Sequence, residues 1–254
     1  MAERLKPKVG IFSITSCAGC QESFLFIHDI LPELLGQIEI VNFPMIKEQH
    51  EEGPFDIAFI EGAVVKEGEV EVVKDIRSKS KILIALGSCA TYGGVPAMRD
   101  FGYEEDIMKS VYPVPSELHP TADVYGIGKY VEVDYYLRGC PMVKEEIVRV
   151  IKDLILKKKP REVSSPVCVE CRANGNPCLL QMGQPCIGPV TFGGCNALCP
   201  TNEIPCYGCR GPLDDSNVDS LVSLLEKQGI DREGLKSIFL RFAGTSKKFK
   251  KIRE

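Results

Sequence analysis

Eight of the chain's twelve cysteines fall between Cys168 and Cys209, among Gly, Pro and Asn, in a stretch with almost no helical or strand period. A segment of that length without regular structure needs something else to hold it inside a compact domain. Thiols can serve there in three ways: as disulfides, as zinc ligands, or as ligands of iron–sulfur clusters. The sequence opens MAERLKPKVGIFSITSC, a short charged lead running straight into an apolar, strand-like segment, with neither a signal-type apolar region nor a twin-arginine leader. A cytoplasmic protein is expected on that reading, and its thiols stay reduced, which makes disulfides the weakest of the three. Zinc is the stronger rival, because Cys168-x2-Cys171 and Cys206-x2-Cys209 both have the bite of a zinc knuckle. The gap between those pairs is longer than a zinc ribbon uses and holds four further cysteines. Twelve thiols divide evenly into three sets of four: Cys17, Cys20, Cys89 and Cys140; Cys168, Cys171, Cys178 and Cys186; Cys195, Cys199, Cys206 and Cys209. Four thiolates are what a 4Fe-4S cluster requires, and Gly and Pro around them let backbone amides turn toward cluster sulfurs.

The first set depends on elements that bring together residues more than a hundred positions apart. Continuous apolar runs at about residues 8–15, 38–43, 55–64 and 81–87, and a last one at 130–139, have the character of buried parallel strands. Helical patterns fall between them, at 21–35, 67–78 and 143–157, with a proline-containing loop from Tyr92 to about Gly128 that includes His119. This alternation predicts an α/β fold with a doubly wound, mostly parallel sheet in flavodoxin-like order. Cys17, Cys89 and Cys140 each lie just past the carboxyl end of a different expected strand, and Cys20 opens the following helix. In such a sheet those ends share one edge, where ligands bind. Cys17-x2-Cys20 taken alone could be a thioredoxin-like redox pair, but two more thiols at matching strand ends favour a ligand set. Glu61, at the end of a neighbouring strand, should reach the same edge, where it is a candidate proton-relay or subunit-contact group. Glu22, at a helix start, fits equally a carboxylate that steadies the helix dipole or a proton-relay or subunit-contact group.

At 254 residues the chain can form two domains. We expect residues 1–159 to be the flavodoxin-like domain and 160–254 a loop-rich, cysteine-bearing domain with short helices, closed by helical patterns at 218–228 and 232–242. A formal charge of −4 gives no footprint for nucleic acid, neither a P-loop nor G-x-G-x-x-G is present, and no run has the length of a membrane span. Basic clusters at Lys157, Lys158, Lys159 and Arg161 and at Lys247, Lys248, Lys250, Lys251 and Arg253 read first as solvated linker and tail, and second as a docking face for an acidic partner.

Taken in order, the motifs resemble the small subunit of nickel–iron hydrogenases over nearly the whole chain: S-C-A-G-C-Q-E at 16–22, F-I-E-G at 59–62, G-S-C-A at 87–90, G-C-P at 139–141, P-C-L-L-Q at 177–181, C-I-G-P-V-T at 186–191 and P-C-Y-G-C at 205–209. The resemblance implies an iron–sulfur, electron-transfer subunit. Cys17, Cys20, Cys89 and Cys140 would bind a proximal 4Fe-4S cluster, Cys195, Cys199, Cys206 and Cys209 a medial one, and Cys168, Cys171, Cys178 and Cys186 a distal one. It also implies as partners a large subunit holding the nickel–iron site and a flavin- or iron–sulfur-containing electron-transfer subunit. Periplasmic members place a histidine where this chain has Cys168 and carry a medial 3Fe-4S cluster with three cysteines, whereas Cys199 supplies a fourth here. Those departures resemble the cytosolic multimeric branch, meaning sulfhydrogenase delta subunits and deazaflavin-independent small subunits. The gap between Cys178 and Cys186 is two residues longer than the pattern. Two other readings stay open at this point, a complex-I-related subunit with one cluster and a zinc-stapled scaffold.

Overall fold

The structure, a computed structural model, describes residues 6–101 and 123–254. Residues 102–122 of the expected loop, with His119, lie outside the described residues. Those described fall into two compact units, one of residues 6–91 and 123–161 and the other of residues 92–101 and 162–254.

The first unit is built on β1 (Lys8–Ser13), β2 (Glu39–Asn42), β3 (Phe55–Glu61), β4 (Ser80–Leu86) and β5 (Tyr135–Leu137), paired in the order β2-β1-β3-β4-β5 with every pair parallel. This is the flavodoxin-like order expected from the sequence. Five helices accompany the strands: α1 (Gly19–Leu25), α2 (Leu31–Gln37), α3 (Glu67–Ser78), α4 (Gly87–Tyr92) and α5 (Lys144–Ile155). Alternate side chains on a strand face opposite ways, so Val9, Ile11, Ile57, Phe59, Ile84 and Leu86 bury against Phe24, Ile27, Leu34, Ile147 and Ile151 of α1, α2, α5 and the turn between the first two. Ala58, Ile60, Leu83 and Ala85 bury on the other face with Val73 and Ile76 of α3. A sheet covered on both faces needs apolar strands throughout, which is why the runs looked continuous in sequence.

Two expectations are corrected. The helix expected over 21–35 is two helices, because Pro32 has no N–H and cannot sit within a continuous helix; it falls instead in the first turn of α2, where that donor is not needed. The last strand is only Tyr135–Leu137 rather than the full apolar run. Just before it, the Asp134 carboxylate takes the Leu83 N–H at 2.8 Å and pairs with Arg77 at 2.6 Å, so a side chain fills a place in the ladder.

In the second unit the cysteine-rich stretch is not wholly irregular. It contains α6 (Val167–Ala173) and the single-turn α7 (Leu198–Thr201), followed by α8 (Val218–Lys227), α9 (Arg232–Ala243) and α10 (Lys250–Arg253). Asn217 and Asp231 cap α8 and α9 by accepting the Ser220 and Gly234 N–H groups at 2.9 and 2.8 Å. Leu221, Leu225, Leu235, Phe239 and Leu240 then close a core with Ile187, Val190, Phe249 and Ile252. No helix among the described residues is long and apolar enough to cross a membrane.

Candidate metal centre

The first four-cysteine site forms at the carboxyl edge of the sheet. Cys17 and Cys20 follow β1, Cys89 lies in α4 directly after β4, and Cys140 follows β5. Glu61 closes β3, the strand between β1 and β4, and is 1% exposed. Its carboxylate accepts the Cys20 N–H at 2.9 Å and the Gln21 N–H at 3.2 Å, so it occupies two of the open donors at the start of α1 and fixes the backbone beneath Cys20. The Cys89 and Cys140 loops are tied together by Ser88, whose N–H and hydroxyl both donate to the Gly139 carbonyl at 2.9 Å. Gly87 has φ +75, and a Cβ there would collide with the Cys20 sulfur. The glycine thus makes room for a thiol from another strand's loop.

Burial pushes the Cys20 thiol well above the ordinary range, with Glu61, Cys89 and Cys140 adding to the effect. Cys140 is exposed as a residue, yet burial of its sulfur raises it too, followed by Cys17 and Glu61. Charge interactions of this kind act over short distances, so Cys89 and Cys140 lie near Cys20, and Cys17 lies near Cys140. Glu22, by contrast, is exposed on α1.

The second site gathers on α6 and the turns after it. Cys168 and Cys171 lie three residues apart, hence on one helix face, and with Cys178 and Cys186 they line a cavity of ≈ 510 Å³ shared with Arg172, Asn176 and Leu179. Burial pushes the Cys168 thiol up to about 11, helped by Cys186, Cys171 and Cys178. The Asn176 side-chain amide lies 3.8 Å from the Cys171 sulfur. A Cβ on Gly188 would stand 3.5 and 3.6 Å from the Cys186 and Cys168 sulfurs, so the backbone there passes close to both.

The third site takes Cys199 from α7 and Cys195, Cys206 and Cys209 from the loops beside it. Burial raises Cys199 and Cys206; Cys195 adds to the first and Cys209 to the second, and both sense Cys186. That cysteine is the hinge between the two sites: its sulfur accepts the Cys206 N–H at 3.3 Å. Cys186 and Cys206 are themselves core residues, packed with Val167, Leu179 and Ala197.

Among the described residues no three Cys, His, Asp or Glu side chains close on a single ion. Zinc draws its thiolates to about 2.3 Å from one centre, whereas at the second site four thiols surround a space. Four thiols around a cavity, with the Gly188 backbone passing close to two of the sulfurs, fit a polynuclear iron–sulfur group at the second site. Sequence reasoning named all twelve cysteines and Glu61 and missed Ser88, Glu170 and Arg210. All three sit beside cysteines in the sequence, and that adjacency was the available signal.

A family model described as NADH ubiquinone oxidoreductase, 20 Kd subunit, matches residues 17–154. The delta subunit of sulfhydrogenase 2 from Pyrococcus furiosus is 38% identical over 231 residues, covering 89% of this chain and 95% of that subunit. A subunit of the F420-non-reducing hydrogenase vhu from Methanocaldococcus jannaschii is 34% identical over 243 residues, covering 84% of each. Among solved structures, an NAD+-reducing [NiFe]-hydrogenase in the H2-reduced state is 32% identical with a TM-score of 0.56, over 62% of this chain and 95% of that one. The chain belongs to the 20 Kd-subunit family of NADH ubiquinone oxidoreductase, and within it to the small subunits of nickel–iron hydrogenases. It is therefore an iron–sulfur subunit of an oxidoreductase complex.

Proposed function

We propose that this chain is the electron-transfer subunit of a cytoplasmic nickel–iron hydrogenase, with three 4Fe-4S clusters. Its partners on this reading are a large subunit holding the nickel–iron site and a flavin- or iron–sulfur-containing protein that exchanges electrons with it. The observation that carries the reading is the grouping of the thiols: Cys17, Cys20, Cys89 and Cys140 at one sheet edge, and Cys168, Cys171, Cys178 and Cys186 round a cavity. Cys199 lies near Cys195 and Cys206 near Cys209, and both Cys199 and Cys206 sense Cys186; we take these four as the third group. The sites are assigned as proximal, distal and medial respectively, with residues 1–159 holding the first and 160–254 the other two.

Bound clusters supply one-electron redox chemistry. The chain's own part is to hold thiolates at fixed positions and aim amides or charges at them. Ligation by thiolates alone lacks the imidazole that raises potential in other cluster types, so low potentials are expected. We read Glu61 as the anchor of the Cys20 backbone, since both its oxygens are engaged with N–H donors, and the exposed Glu22 as a subunit-contact group.

The complex with its large subunit, reduced anaerobically with hydrogen, should give signals from about three reduced 4Fe-4S clusters per chain by electron paramagnetic resonance. A Cys199→Ser variant should lose or alter the medial signal alone. Signals from one cluster would favour a complex-I-like subunit instead, and zinc without labile sulfide would overturn the reading.

A further inference from the structure

Glu170 stands between Cys168 and Cys171 in the sequence, yet its carboxylate serves the other site of the second unit. Oε1 accepts the Gly194 N–H at 2.5 Å and Oε2 accepts the Ala197 N–H at 3.1 Å, so the group spans the loop that carries Cys195. Oε2 lies 4.0 Å from the Cys195 sulfur. The loop it braces is tightly bent: Gly194 has φ +105, and Asn196 and Ala197 are both left-handed, with φ 53 and 50. Asn174, at the end of α6, reaches the same place by donating from Nδ2 to the Asn196 carbonyl at 3.0 Å. The buried Arg210 donates from Nε to the Gly193 carbonyl one residue earlier. Arg172 is directed differently, because it lines the cavity of the second site.

Two consequences of this placement have the same sign. One added electron makes the surroundings of Cys195 more negative, and a carboxylate 4.0 Å from that sulfur, on a half-buried loop, opposes it with little screening. The Gly194 and Ala197 amides bond to the carboxylate rather than to a sulfur, and donors to cluster sulfurs are among the means by which a protein raises potential. We propose that Glu170 is a positioning residue that holds down the reduction potential of the cluster bound by Cys195, Cys199, Cys206 and Cys209, favouring passage of its electron onward to the site on α6. The inference rests on the three-cluster reading above.

The test is a redox titration followed by electron paramagnetic resonance on the full chain in its complex with the large subunit, taking as the third-site signal the one altered in Cys199→Ser. Glu170→Gln should keep its iron and shift that potential upward by at least the equivalent of a tenfold change in the equilibrium, about 59 mV for a one-electron couple. Glu170→Asp, which keeps the charge, should lie nearer the unaltered protein. Arg172→Gln, on the same helix but directed to the other site, should leave the third-site potential in place. An unchanged potential in iron-loaded Glu170→Gln overturns the inference. So does loss of third-site iron from that variant, which would make Glu170 a brace only, or an equal shift in Arg172→Gln. A missing third-site signal in the unaltered protein would overturn the cluster reading itself, a result distinct from the other three.

Discussion

The two units differ in how much of their core the cysteines make up. In the first, only Cys20 of the four thiols joins a core that is large without it: Val9, Ile11, Phe59, Ile84 and Leu86 are buried on one face of the sheet and Ala58, Ile60, Leu83 and Ala85 on the other. In the second, Cys186 and Cys206 are themselves two of the five buried members of a small core among the described residues, with Val167, Leu179 and Ala197. The apolar mass of that unit lies instead in α8, α9 and the segments packed on them. The scaffold of the first site can therefore fold ahead of its ligand. The loops of the second and third sites have too little apolar area of their own to stay ordered once the ligand is gone.

The largest expected effect follows from this contrast. Removing iron from the full chain should leave amide-exchange protection in β1, β3 and β4 nearly intact and abolish most of it across 162–215, since a structural metal group contributes on the order of 10 kcal/mol to the fold that binds it. Equal loss in both regions would break the comparison. A smaller effect is expected from Gly87→Ala, which asks whether the rim can be damaged alone. The new Cβ meets the Cys20 sulfur at a position with φ +75, so about four of about twelve irons should be lost while the circular dichroism of the sheet persists.

Glu61→Gln sharpens the same point with less force. One oxygen is retained, and the new NH2 faces a buried backbone N–H, which costs about 1–3 kcal/mol in denaturant unfolding. The smallest effect belongs to Asp56, on the far edge of the sheet. Burial alone would raise its carboxyl, but Lys81 and the Lys8 N–H, both bonded to it, hold it below the usual value. A depressed carboxyl stabilises the fold above its unfolded pKa and loses that contribution as pH falls through the folded value. Asp56→Asn should therefore cost no more than about 1 kcal/mol at neutral pH, and the difference from the unaltered protein should vanish in acid.

Much of the first site was legible because its logic is written in strand ends. Apolar runs that stop at Cys17, Cys89 and Cys140 define one edge once the strands are parallel, and Glu61 follows from the same argument. The break at Pro32 was visible but outweighed by an apolar stripe that runs across it. The truncation of β5 was not visible, because it depends on Asp134 meeting a strand 51 positions away. In the second unit the cysteines announced themselves, but what arranges them did not. Glu170 and Arg210 act through backbone groups of Gly193, Gly194 and Ala197, and a backbone partner leaves no mark in sequence. Nor could a linear reading assign residues 92–101 to the unit of 162–254.

The measurement that bears most directly on the account is the metal and labile-sulfide content of the anaerobically purified chain in its complex, with Mössbauer spectra to report cluster type. The account predicts about twelve irons and about twelve sulfides for this chain, all in 4Fe-4S form, beyond the iron of the partner's active site. About four irons for this chain, or zinc in place of iron with no sulfide, would contradict it.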